Sequence, residues 1–259
     1  MADRHPDDPE WHRAADGPDG WGEPGAQPAA SRPKRSWKQR ILSNQSARWV
    51  STGAPYHQVG EYAGAGRLVE AVREFGWQIT DADEEADALI TTAPFRISGY
   101  RAGNVVRGTF DPFGPTGPGA PAQWPFLAFD AVEDSRVGRT VGHCFTSVPT
   151  MLQLPALRIL PARFLTGPAR GMQVFPTIDP IFDARFKLLA RDGEQELEAF
   201  TRLMTDEVRS VLSAGDDLEE IWSVQGQLVA STSQPHDEPV LARHLEILAA
   251  MLRAVRAQA

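Results

Sequence analysis

The chain's strongest constraint is its last stretch, residues 176–257, and within it the run after Asp237. Leu241, Leu245, Leu248, Leu252 and Val255 recur at spacings of four, three, four and three. That spacing places them on one face of an α-helix, which must be buried against something else. Asp237 is the natural N-cap, with Glu238 and Pro239 in the first turn. Arg253 and Arg256 stand at the C-terminal end, where the helix dipole favours cations. Just upstream, Glu220–Ala230 reads as a hairpin turning at Gln225-Gly226, because glycine reaches positive φ cheaply. In that register Trp222 pairs with Val229 and Val224 with Gln227. Ile221, Ser223, Leu228 and Ala230 then share the other face.

The region before the hairpin shows both periods. From Asp183 the alternation puts Phe186, Leu188 and Ala190 on one face and Arg185, Lys187 and Leu189 on the other, which predicts a half-buried strand. Asp192-Gly193 ends it, and Asp192 is the expected cap of a helix with Glu194 and Glu196 in its first turn. Leu197, Phe200, Leu203 and Met204 form the stripe of that helix. Thr205 reads as a second N-cap before Val208, Val211 and Leu212, with Gly215 as the C-cap. A helix broken near Thr205, or two short ones, is expected.

Upstream, Leu68, Val69, Val72 and Phe75 predict a helix over 66–76 closed by Gly76, with a strand starting at Trp77-Gln-Ile-Thr80. Asp81, Asp83, Glu84, Glu85 and Asp87 are dense enough to suggest a calcium loop. The glycine and terminal glutamate such a loop requires are missing, so a solvated acidic turn is expected. Strands are predicted at 88–92, 105–110, 126–132, 140–148, 157–160 and 172–175. Pro149, Pro155 and Pro161 should confine these strands to edges or bend them. The Pro/Gly-rich stretch 111–125 reads as a loop, and it holds no Lys, Arg or glycine fingerprint for phosphate.

Several of these pieces resemble one known family. Phe182-Asp183-Ala184-Arg185-Phe186, Leu203-Met204-Thr205, the Trp-containing hairpin and the terminal helix resemble the C-terminal half of a family of uncharacterised, mainly actinobacterial proteins. Arg73–Trp77, Ala93-Pro-Phe95, Asn104–Thr109, Phe126–Asp130 and Val148–Met151 resemble its N-terminal half, so the match spans roughly 66–257. The resemblance implies an α+β domain of unknown function and supplies no catalytic residues. The family includes relatives with a membrane segment; this sequence has no uncharged apolar run of that length.

The N-terminal portion has a different composition. Residues 1–31 hold seven acids, two arginines, five prolines and four glycines with almost no aliphatics. Too little apolar surface is available there to offset ordering entropy, so disorder is expected. Residues 32–48 reverse the charge, with six basic residues and no acid. Arg32, Lys34, Arg35, Trp37, Lys38 and Arg40 are its candidate interaction residues, suited to an acidic protein partner or an anionic membrane surface. From residue 49 the body has 18 basic and 27 acidic residues, and the whole chain carries −8, which argues against general nucleic-acid binding. The N-terminus lacks the apolar core of a secretory signal, and one cysteine permits no intrachain disulfide, which fits a cytoplasmic setting.

The chemistry-bearing residues form no catalytic motif. His143-Cys144 are adjacent, so on a strand they point to opposite faces and cannot share a proton, and Cys144 reads as a small buried residue. The other histidines, His5, His12, His57, His236 and His244, show no metal-ligand spacing, and Gly-x-Ser-x-Gly is absent. No metal or cofactor is expected. The fold expected is α+β: a mainly antiparallel sheet with three or four helices on one side, behind the disordered tail of 1–48. The body, 49–259, is one domain or two closely packed halves, about 49–165 and 166–259. The function expected is a non-catalytic interaction module. The alternative is a small enzyme or small-molecule binder with a pocket assembled only in space.

Overall fold

The structure, a computed structural model, describes residues 54–55, 65–95, 97–114, 123–135, 138–151, 154–162, 171–191, 193–215 and 218–257. The acidic and basic segments at the N-terminus lie outside the described residues. In chain order the elements are β1 (Ala54–Pro55), α1 (Ala65–Glu74), β2 (Gln78–Thr80), α2 (Glu84–Thr91), β3 (Tyr100–Phe110), β4 (Trp124–Ser135), β5 (Gly138–Pro149), β6 (Leu157–Pro161) and β7 (Met172–Phe175). Then come α3 (Pro180–Arg185), β8 (Phe186–Arg191), α4 (Glu194–Leu203), α5 (Asp206–Ser213), β9 (Glu220–Val224), β10 (Gln227–Thr232) and α6 (Glu238–Arg256).

The strands make one antiparallel sheet in the order β2-β3-β4-β5-β10-β9-β6-β8-β7. Strand β1 pairs with Thr140 and Val141 of β5, beyond the stretch that β10 occupies. The hairpin register follows the sequence: Val229 opposes Trp222, Gln227 opposes Val224, and Gln225 and Gly226 both take positive φ in the turn. Alternation along the strands gives the sheet two buried faces. One face carries Val106, Phe126, Ala128, Val148, Ile159, Leu188, Ile221, Leu228 and Ala230 and packs under α1, α3, α4, α5 and α6. The other carries Val105, Leu127, Phe129, Phe145, Trp222 and Val229 and packs under α2 and the residues after it. Among the described residues no helix is long and apolar enough to cross a membrane.

Five expectations need correction. There are six helices among the described residues, and α2 covers the face opposite the other five. The predicted strand at 88–92 is this helix, and the acidic cluster before it is not merely solvated. Asp83 caps the helix, accepting from the Glu85 and Ala86 N–H groups, and pairs with Arg107. Ala86, Leu89 and Ile90 then fall on one helical face. The strand read from Asp183 begins only at Phe186. Asp179 accepts from the Ile181 and Phe182 N–H groups and Pro180 fills the first turn, so 180–185 closes as α3. The caps proposed around the next two helices also differ: Gly193 precedes α4 without a side-chain bond, and Ala214 rather than Gly215 ends α5. Thr205 does cap α5 through Val208 N–H. Finally, Pro149 and Pro161 sit at the ends of β5 and β6, so both strands lie inside the sheet. A proline in the last position of a strand removes little of the ladder.

Candidate functional site

Beneath the start of α6 the sheet carries a buried polar cluster. Asp130 of β4, Cys144 of β5 and Thr232 of β10 lie in one cross-strand row, and Ala128, Thr146 and Ala230 form the next. A register shift between Gly103 and Val106 in β3 frees Asn104, at φ 49°, to turn toward Asp130. Asparagine tolerates that left-handed geometry better than most residues, and a bulge re-aims a side chain in this way. The Asn104 amide donates to Asp130 Oδ2 at 2.7 Å, and the His236 backbone N–H donates to Oδ1 at 2.8 Å. Thr146 Oγ1 bridges His236 Nε2 at 3.1 Å and His244 Nδ1 at 2.8 Å, while Cys144 Sγ and Thr232 Oγ1 share a proton across 2.9 Å.

These groups are buried, and burial governs their charge. Asp130, Thr146 and His244 are fully buried. Burial pushes the Asp130 carboxyl up to about 7, against the bonds from Asn104 and His236. Burial pushes the His236 ring down to about 3, and lowers His244 strongly with help from the neighbouring His236 and Arg243 charges. Burial and then the Asp130 charge drive the Cys144 thiol well above its ordinary range. The thiol is therefore protonated and the imidazoles neutral, the reverse of a thiolate–imidazolium pair. One ligand atom each from Cys144, His236 and His244 lie within 4.8 Å of one another. A tetrahedral zinc would need them roughly 3.5 Å apart. The arrangement is a hydrogen-bond network tying α6 to the sheet. A cavity of about 150 Å³ reaches His244 and Thr232 from outside. It is lined by neither Cys144 nor Asp130 and has room for roughly five waters.

His143 points to the opposite face, as alternation requires, where its Nδ1 meets Glu219 Oε2 at 2.8 Å. Phe95, Tyr100 and Phe145 surround its ring. His143 and Cys144 thus share nothing, and both are buried.

A larger concavity lies elsewhere, a groove of about 590 Å³ between α1, α6 and the end of β3. Leu68 and Ala71 of α1 and Phe75 just after it line one side, and Leu241, Leu245 and Ala249 of α6 the other. Trp77 forms its end wall. The indole stacks on Phe75 at 5.0 Å, meets Phe126 edge-on at 4.8 Å and donates to the Thr109 carbonyl at 3.0 Å. Gly108 makes this seat: a Cβ there would stand 2.5 Å from the indole and 2.7 Å from the Phe126 ring. Gly108→Ala is expected to cost about 1–3 kcal/mol by overpacking, read as a lower urea midpoint at unchanged slope. An unchanged midpoint would show that the indole gives way freely.

Sequence reasoning placed Leu68, Phe75, Leu241 and Leu245 on helical stripes but could not bring the two helices together. It set aside His236 and His244 for want of spacing, and passed over Asn104, Asp130, Thr146 and Thr232, which only strand pairing unites. Arg32, Lys34, Arg35, Trp37, Lys38 and Arg40 lie outside the described residues.

No protein-family model matches the chain, and no curated protein matches it. Among solved structures it is similar to the mycobacterial trehalose monomycolate transport factor A, TtfA, at 14% identity and a TM-score of 0.52, over 74% of this chain and 93% of that one. At that identity the likeness is one of fold. Its mycobacterial source agrees with the actinobacterial family that the motifs resemble, and no family assignment follows.

Proposed function

We propose that this protein is a non-catalytic interaction module, acting as an accessory factor through its surfaces. The observation that carries the reading is a division of properties. The Cys144 thiol and the His236 and His244 rings under α6 are buried and held in their uncharged forms, while the groove between α1 and α6 is open and mainly apolar. A catalytic site needs its acid, base or nucleophile within reach of substrate. A binding surface needs an apolar hollow with a few polar groups at its margin. The fold neighbour is named for transport and not for a reaction, which agrees with an accessory role. The basic segment at 32–48 supplies a second point of association, suited to an acidic partner or an anionic membrane surface.

Complementation of a deletion strain tests this reading. Cys144→Ala is small and apolar, and His244→Asn keeps an amide where Nδ1 meets Thr146, so both should fold. Both are expected to restore the wild-type phenotype fully. Ala242→Trp, on an exposed position of α6 at the groove, is expected to abolish rescue while leaving thermal stability unchanged. Loss of rescue by folded Cys144→Ala or His244→Asn, with Ala242→Trp active, would reverse the assignment and favour an enzyme.

A further inference from the structure

We propose that the groove between α1 and α6 docks a basic amphipathic helix of a partner protein, an inference that rests on the non-catalytic reading. The shape comes first. Along α6 the lining runs from Glu238 to Ala249, about 17 Å at 1.5 Å per residue, or three helical turns. Leu68, Ala71 and Phe75 on one side and Leu241, Leu245 and Ala249 on the other form two apolar rows at its floor, where Leu68, Leu241, Leu245 and Ala249 are mostly covered and Phe75 is the exposed member. A third helix laid between them buries positions three and four apart against both rows. Ala71, Ala242 and Ala249 are small enough to let its backbone approach. At the mouth Phe75 is 62% exposed although it stacks on Trp77, so an aromatic platform stands ready for one large apolar anchor. Trp77 is fixed by its bond to Thr109 and by the Gly108 seat, so little order is lost on contact.

The charge then selects the occupant. The lining contains three carboxylates, Asp111, Glu238 and Glu246, and no Lys, Arg or His. Glu246 also accepts from Arg243 at 2.7 Å, which leaves Asp111, just past the end of β3, and Glu238, in the first turn of α6, as the net charge of the lining. The chain as a whole carries −8. An acidic margin around an apolar floor steers and holds a cationic amphipathic segment and repels an acidic one. It disfavours the anionic headgroup of a fatty acid in the same place.

Fluorescence anisotropy on the full chain tests the inference with three labelled peptides of about 18 residues. One is a Leu/Lys amphipathic helix, one replaces every Lys by Glu, and one scrambles the first. The Leu/Lys helix is expected to bind at least about tenfold more tightly than either control, with affinity falling as salt rises. Asp111→Asn/Glu238→Gln/Glu246→Gln keeps the shapes and is expected to weaken it by about tenfold and flatten the salt dependence. Ala242→Trp is expected to remove binding with the melting temperature unchanged. Equal binding of the acidic or scrambled peptide would overturn the proposal. So would binding insensitive to Ala242→Trp, or a groove that takes only a fluorescent acyl chain. If no peptide binds yet Ala242→Trp abolishes complementation, the docking inference falls and the non-catalytic reading stands.

Discussion

Asp130→Ala is expected to destabilise the protein by about 3–4 kcal/mol, roughly 10 °C in melting temperature. The carboxylate accepts from the Asn104 amide and the His236 backbone N–H in a fully buried setting, so its removal orphans two donors at about 1–3 kcal/mol each. Asp130→Asn should cost less, since its oxygen still serves one donor. The two substitutions also differ from wild type in pH dependence. The Asp130 carboxyl moves from 3.8 to about 7 on folding. Its contribution to stability is therefore complete in acid and is lost as pH rises through 7. His236, lowered from 6.5 to about 3, works in the opposite sense: its contribution is complete above 6.5 and is lost as pH falls toward 3. His244 moves in the same direction as His236. Between about pH 4 and 6.5 two histidines thus oppose one carboxyl, each at about 1.4 kcal/mol per pH unit. Asp130→Asn removes the opposing group, so its deficit relative to wild type should widen on acidification. Urea unfolding at several pH values in this window gives the answer. A deficit that does not vary with pH would mean that Asp130 stays ionised in the fold.

Where local chemistry is decisive, the elements were legible. The Leu241–Val255 stripe with its Asp237 cap is α6, and Gln225-Gly226 is a hairpin turn in the register that alternation dictated. Thr205 breaks α4 from α5 because its hydroxyl offers Val208 N–H a partner outside the preceding helix. The misreadings have an equally local cause, side chains doing two jobs. Asp83 is one acid among five in a short stretch, and its role as a cap shows only once Arg107 is brought beside it. Asp179 and Pro180 begin a helix inside a run that also alternates, so the strand was read too early.

The candidate site was less legible because it is a product of strand order. Asp130, Cys144 and Thr232 become neighbours only when β10 returns beside β5, and nothing in residues 144 or 232 specifies that pairing. The groove depends likewise on α1 packing beside α6. Each stripe predicted a buried face, yet neither predicted that the two faces would leave a hollow between them. The deficit of cations in that hollow was equally invisible, since Asp111 and Glu246 are far apart in the chain.

Arg158→Leu is the second large effect expected, a loss of about 3–5 kcal/mol that Arg158→Leu/Glu220→Leu should largely restore. Arg158 Nε and Nη2 donate to the two oxygens of Glu220, the second at 3.0 Å, and both side chains are buried. The pair sits at a thin junction within the sheet's main strand order. Only Arg158–Trp222 and Ile159–Ile221 register β6 on β9, against five pairs each for β9–β10 and β6–β8. Removing the guanidinium leaves Glu220 buried beside Glu219 with no cation. Burial already raises the Glu220 carboxyl's pKa, even against the guanidinium, and without Arg158 the carboxyl can only rise further. A group so raised contributes its stability in acid and loses it as pH rises, so the Arg158→Leu deficit should be greatest near neutrality and shrink on acidification. The double variant replaces two desolvated charges by apolar groups that can pack beside Trp222 and Leu189, and neither charge is left unmatched. A double variant no more stable than the single would place the loss in packing at the seam. Recovery would show that the pair's main contribution is to match two buried charges and thereby fix how β6 meets β9. That junction joins the sheet beneath α4 and α5 to the sheet beneath α1 and α6, so a slip there would disturb the support of the groove.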